Sequence, residues 1–186
     1  MTSLYDATRE DTEVLLEDQP AFRITQIWDG LYKQLLEPEK ILTLPAALRT
    51  QMNEMLPTAL NSVTTSISDK GDTVKFLWRL FDGALVESVL MRYPNRITLC
   101  ISSQAGCGMN CPFCATGQAG LTRNMSAAEI VDQIVQANRA IRAGELGPNR
   151  HEDERVNNIV FMGMGEPLAN YAKIMDAIRT MIEPQP

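Results

Sequence analysis

Apolar positions in the first third of the chain recur at helical spacing. Behind Pro20, a residue suited to a first helical turn, Ile24, Ile27, Trp28, Leu31 and Leu35 share one side. Pro45 opens a second such stretch with Leu48, Met52 and Met55. The plain reading is a small helical module packed on itself. Residues 1–18 are acidic and poorly patterned, which predicts a frayed start. The period then shortens. Strands are expected near Thr64–Ser68, Thr73–Leu80 and Ala84–Met91, separated by the turns Asp69-Lys-Gly-Asp72 and Asp82-Gly83. In Arg96–Ser103, Ile97, Leu99 and Ile101 alternate with Thr98, Cys100 and Ser102. Ser126-Ala-Ala-Glu129 reads as a capping box opening a helix. Its stripe is Ile130, Ile134 and Ile141, flanked by Val131, Val135 and Ala137, and Gly144 is a fitting stop. Leu146–Arg155, rich in Gly, Pro, Asn and charge, reads as a surface loop carrying an exposed His151. Asn157–Met162 suits a buried parallel strand. It empties into Gly163-Met-Gly-Glu-Pro167, and a helix follows with Asn170 as its cap and Tyr171, Ile174, Met175, Ile178 and Met181 at helical spacing.

Strand, loop and helix thus occur twice in succession, as in a β/α barrel, whose sites lie on the loops after the strands. The polar face of the strand at Arg96–Ser103 would look into the lumen, and its isoleucine face onto the helices. The loop after that strand holds Cys107-Gly-Met-Asn-Cys111-Pro-Phe-Cys114, a C-x3-C-x2-C spacing. A structural zinc site closes with four ligands, and an ordinary cubane cluster also takes four cysteines. Three thiolates on a [4Fe–4S] cluster leave one iron open to a substrate or cofactor. The plainer alternatives are a zinc knuckle, for which the nearest spare ligands are Cys100 and His151, or three unrelated buried thiols. Glycines at a strand end let a backbone approach a ligand closely, although Gly-Met-Gly-Glu-Pro is equally a tight turn.

Charge adds a reservation. A net charge of −6 is unusual for a nucleic-acid enzyme. It is unevenly spread, with 6 basic and 3 acidic side chains in residues 70–125. Lys75, Arg79, Arg92, Arg96 and Arg123 are therefore candidates for phosphate contact near the loop, or ordinary solvated positions. No apolar stretch approaches the ~20 residues of a membrane span, the start lacks a signal-peptide pattern, and four clustered cysteines suit a reducing, cytoplasmic setting.

The cysteine spacing resembles that of the radical S-adenosylmethionine (SAM) enzymes, and longer motifs narrow the resemblance. Leu90-Met-Arg-Tyr-Pro, Cys100-Ile-Ser-Ser-Gln-Ala-Gly-Cys107, Cys111-Pro-Phe-Cys114-Ala-Thr-Gly and Phe161-Met-Gly-Met-Gly-Glu-Pro-Leu168 are similar to segments of the RlmN/Cfr family. RlmN enzymes methylate carbon 2 of an adenosine in large-subunit ribosomal RNA and in certain transfer RNAs; Cfr methylates carbon 8 of the same ribosomal adenosine. The resemblance implies an α/β fold: the truncated start of a radical-SAM partial (β/α) barrel over 96–186, preceded by a helical domain over 1–60 and a β-meander over 61–95. It assigns Cys107, Cys111 and Cys114 to a [4Fe–4S] cluster and Gly165 and Glu166 to SAM. It makes Glu87 the proton acceptor, a carboxylate expected among Leu85, Val89 and Met91. Cys100 becomes the thiol that pairs transiently, as a disulfide, with a distant methyl-carrying cysteine. A monomer served by a flavodoxin or ferredoxin electron donor is implied. All four cysteines are then assigned, so the methyl carrier is missing, and the chain reads as the N-terminal half of the enzyme, inactive alone.

Overall fold

The computed structural model describes residues 3–7, 9–148, 150–151 and 153–182. Residues 183–186 lie outside them.

Three short helices open the chain: α1 (Arg9–Leu15), α2 (Phe22–Trp28), which runs on as a π-turn over Asp29–Lys33, and α3 (Ala46–Met55). Ile24, Ile27, Leu31, Leu48 and Met52 are buried as their spacing predicts, but Met55 at the end of α3 is half exposed. Among the described residues the start is not frayed. Leu4, Tyr5 and Leu16 are buried, and the Leu4 N–H donates to Pro57 O. The acidic composition of this segment masked a handful of apolar anchors.

The meander follows as β1 (Asn61–Ser68), β2 (Thr73–Arg79) and β3 (Leu85–Tyr93), all antiparallel, and β3 then pairs with β4 (Arg96–Cys100). Both anticipated turns are present. Side chains alternate across a strand, so one face of the sheet collects Val74, Phe76, Trp78, Val86, Leu90, Ile97 and Leu99, all buried in the core. Trp78 stacks on Phe76 at 5.0 Å and donates its indole N–H to Ser88 Oγ at 2.8 Å. The other face is only partly covered and carries Lys75, Glu87, Thr98 and Cys100.

After β4 come a two-stranded ribbon, β5 (Gln104–Gly106) with β6 (Leu121–Asn124), and between its strands the four-residue helix α4 (Ala115–Gln118). α5 (Ala127–Arg142) then leads to β7 (Asn158–Val160), which lies parallel to β4, and α6 (Tyr171–Ile182) closes the described chain. The sheet order is β1-β2-β3-β4-β7. β7 is shorter than predicted and half-buried rather than buried, because it pairs on one side only among the described residues. The capping box on α5 has both halves, the Glu129 N–H on Ser126 Oγ and the Ser126 N–H on the Glu129 carboxylate.

The helical front is bolted to α5. Asp132, fully buried, accepts the N–H groups of Ala59 and Leu60 at 3.1 Å each. Asp6 accepts the Ala128 N–H in the first turn of α5. At the other end Arg139 and Arg142 donate to the carbonyls of Leu35, Gln34 and Lys33, the last carbonyls of the α2 extension. The long loop after α5 is similarly anchored. The Arg92 side chain, 3% exposed, reaches Glu154 at 2.7 Å and the Leu146 carbonyl at 2.7 Å.

Candidate active site

The chain leaves β4 without leaving the sheet. The Ile101 N–H donates to Val160 O and the Ile101 carbonyl accepts the Gly163 N–H, so β4 and β7 stay zipped beyond their formal ends. Ser102, Ser103 and Gln104 come next, all buried and all polar. Buried polar groups need partners, and these find them in side chains. The Gln133 carboxamide on α5 grips both sides of Ser102, accepting its N–H and donating to its carbonyl, at 2.9 Å each. Ser102 Oγ donates to the Glu87 carbonyl at 2.5 Å and accepts the Met164 N–H at 2.9 Å. One hydroxyl thus ties β3, the exit of β4 and the glycine turn together.

The three cysteines sit on the connection between β5 and α4. Cys107 is buried, and its N–H donates to Gly120 O across the ribbon. Cys114 is the N-cap of α4, and its N–H donates to Cys111 O at 3.1 Å. The left-handed φ of 50° at Asn110 turns the loop back toward Cys111. All four cysteines are free thiols. Among the described residues no three His, Cys, Asp or Glu side chains are gathered closely enough to hold a metal ion. The donor chemistry nevertheless fits an iron–sulfur cluster: three thiols on one short, backbone-closed loop, two of them half-buried and open to an incoming group. His151 is not placed to complete a zinc site. His151 lines a cleft with Arg96 and Asn157 at the start of β4, the opposite end of the strand from Cys100.

The glycine turn packs against Ile101–Gln104, the segment that leads into this loop. A Cβ on Gly163 would sit 2.7 Å from Ile101 O and 2.8 Å from Ser102 Oγ, so no other residue fits between the two strand ends. Gly165 has φ 102° and lies flat on the Gln104 side chain. The Met164 carbonyl accepts from the Ser103 and Gln104 N–H groups, and the Glu166 N–H donates to Gln104 Oε1 at 2.8 Å. The Glu166 carboxylate is engaged locally, accepting the Leu168 N–H. Asn170, predicted as a helix cap, immediately precedes α6 and is also a clamp: it is buried and donates to both Ser103 O and Met125 O.

Glu87 and Cys100 share the open face. Val89 pairs with Cys100, which puts Glu87 on the diagonal, a distance of about 7–8 Å between strands. The apolar surround expected for Glu87 is absent. Its side chain is 41% exposed and Lys75 Nζ lies 2.7 Å from its carboxylate. The sequence signal misled because Lys75 is a cross-strand neighbour, fixed by register rather than by proximity in the chain. Burial pushes the Cys100 thiol above its ordinary pKa, partly offset by a hydrogen bond with the Met162 backbone.

No family model matches the chain. Individual proteins do. "Probable dual-specificity RNA methyltransferase RlmN" of Kocuria rhizophila is 54% identical over 169 residues, covering 90% of this chain and 44% of that protein. The protein of the same name from Streptomyces coelicolor is 52% identical across all of this chain and 50% of its own length. A solved radical SAM methyltransferase from Sphaerobacter thermophilus superposes with a TM-score of 0.90 at 40% identity, over 100% of this chain and 53% of its own. The chain belongs to the RlmN family. It spans about half the length of the curated relatives it matches.

In this RlmN-family chain the five candidate phosphate contacts divide. Lys75, Arg92 and Arg123 are engaged by carboxylates, leaving Arg79 and Arg96 without one among the described residues. Arg123 was the least legible of them. It forks onto Glu129 at 2.8 Å, holds Asp82 of the β2–β3 turn at 2.6 Å and lies over the Phe81 ring. This arginine fastens the hairpin tip and β6 to the start of α5, and Asp82 beside it is held below the usual carboxylate range. The other residues that sequence reasoning passed over, Gln104 and Gln133, are buried carboxamides. Nothing in a linear pattern distinguishes them from surface positions.

Proposed function

We propose that the protein is a radical SAM RNA methyltransferase acting on carbon 2 of adenosine in large-subunit (23S) ribosomal RNA and in transfer RNA. The observation that carries this reading is that the glycine turn at the exit of one parallel strand is hydrogen-bonded to the segment that runs from the other into the three-thiol loop, in a chain whose relatives are named dual-specificity RNA methyltransferases. The two strand–helix units would be the start of a partial barrel over 96–186, behind a helical domain over 1–60 and a meander over 61–95. Cys107, Cys111 and Cys114 would hold three irons of a [4Fe–4S] cluster, and Gly165 and Glu166 would receive SAM. The bound pair supplies hydrogen-atom abstraction.

The remaining roles belong to the open face of the sheet. Glu87, held by Lys75, accepts the proton leaving the adenine ring. Cys100 stays a protonated thiol while buried, and resolves the RNA–protein crosslink as a disulfide with a thiol outside these 186 residues. All four cysteines of the sequence are then in use, so the 186-residue chain by itself is expected not to turn over. The protein would work in the cytoplasm as a monomer, with a flavodoxin or ferredoxin as electron donor. No described helix is long and apolar enough to cross a membrane.

The test is nucleoside mass spectrometry of ribosomal and transfer RNA from a strain disrupted in the gene and from the same strain complemented. Loss and return of 2-methyladenosine in both RNA classes supports the reading. A change confined to 8-methyladenosine would reassign the position, and no change in either would reject the activity.

A further inference from the structure

The glycine turn is held by a residue with no assigned role. Gln104 is 1% exposed, and its carboxamide is used at both ends. Oε1 accepts the Glu166 N–H at 2.8 Å, while Nε2 donates to Asn124 Oδ1 at 2.7 Å. Asn124 faces Gln104 across the β5–β6 ribbon, which encloses the cysteine loop. The bond to Glu166 does more than tether. In a trans peptide the N–H and C=O point in opposite directions, and there is no cis peptide among the described residues. Donation of the Glu166 N–H inward to Gln104 therefore turns the Gly165 carbonyl outward, away from the core. The positive φ of Gly165 and its contact with the Gln104 side chain lock the same orientation from the other side.

We infer that Gln104 is a positioning residue, one that presents the Gly165 carbonyl as an acceptor for the ammonium group of an amino-acid-bearing ligand, with Asn124 as its anchor on β6. The inference rests on the reading of this site as the SAM site and adds how its acceptor is oriented before the ligand arrives. Only a primary carboxamide satisfies both ends. Glutamate lacks the donor that Asn124 requires and would bury a charge, and methionine fills the space with neither bond.

The test compares the wild-type protein with Gln104→Met and, because Asn124 is exposed and its loss is mild, with Asn124→Ala. In the cofactor-free protein, amide exchange at Glu166 should quicken at least tenfold in Gln104→Met, with the β3 amides unchanged. After anaerobic reconstitution, binding of SAM and of its analogue lacking the α-amino group is measured. Wild type should favour SAM at least tenfold, and both variants should lose much of that preference while keeping their iron. An equal loss of affinity for both ligands, or an unchanged preference, would overturn the role of Gln104. No SAM binding by reconstituted wild type would instead overturn the reading of the site.

Discussion

Asp132→Asn should make the fold more stable at neutral pH and flatten its pH dependence. Asp132 is fully buried at the junction of α5 and the helical front, and burial raises its pKa from 3.8 to about 6 despite hydrogen bonds from Gln136, Leu60 and Ala59. The folded-state pKa lies above the unfolded one, so the folded protein binds the extra proton. Its contribution to stability is present in full below pH 4 and is lost as pH rises through 6. A shift of about two units corresponds to about 3 kcal/mol, of which about 1 kcal/mol falls between pH 5 and 7. Asparagine mimics the protonated acid. Its oxygen takes the Ala59 and Leu60 N–H groups, and its amide reaches Gln136 after that carboxamide turns over. Urea unfolding of both proteins at pH 5 and pH 7 gives the difference directly. The advantage of asparagine should grow by about 1 kcal/mol between these values. A difference that stays flat, or a variant less stable than wild type by more than ~1 kcal/mol at pH 7, would refute the assignment of a costly buried carboxylate.

Other outcomes follow from the same structure. Gly163→Ala, whose Cβ would strike Ile101 O and Ser102 Oγ, should cost about 2–4 kcal/mol through overpacking and lost strand-exit hydrogen bonds, read by thermal unfolding. Arg92→Met strands the buried Glu154 carboxylate and should cost about 3–5 kcal/mol, whereas Lys75→Met at the half-exposed pair with Glu87 should stay within ~1 kcal/mol. Iodoacetamide at pH 7.5 should alkylate Cys100 several-fold more slowly than a free peptide thiol, since burial keeps it protonated; mass spectrometry of the timed digest measures this.

Much of this was legible in the chain where a local pattern and its burial coincide. The capping box of α5, the turns at Asp69–Asp72 and Asp82-Gly83, and the alternation of β4 all stand as predicted, because each is specified by residues within one element. The ribbon of β5 and β6 was not legible, since strands of three and four residues carry too little alternation to register. Nor was the setting of Glu87, which depends on Lys75 arriving from β2, or the burial of Arg92 beneath a loop read as free surface. The cysteines announced their loop by spacing alone. The carboxamides that hold its surroundings in place gave no signal, because a buried glutamine is distinguished only by its partners.

The central claim is that three thiols leave one iron of a cubane cluster open. Mössbauer spectroscopy of the anaerobically reconstituted, iron-57-enriched protein tests it most directly. Four irons per chain are expected, one of which changes its isomer shift when SAM is added and the other three of which do not; substitution of Cys111 by alanine should abolish the cluster. Iron absent while zinc is retained, or four irons indifferent to SAM, would contradict the account.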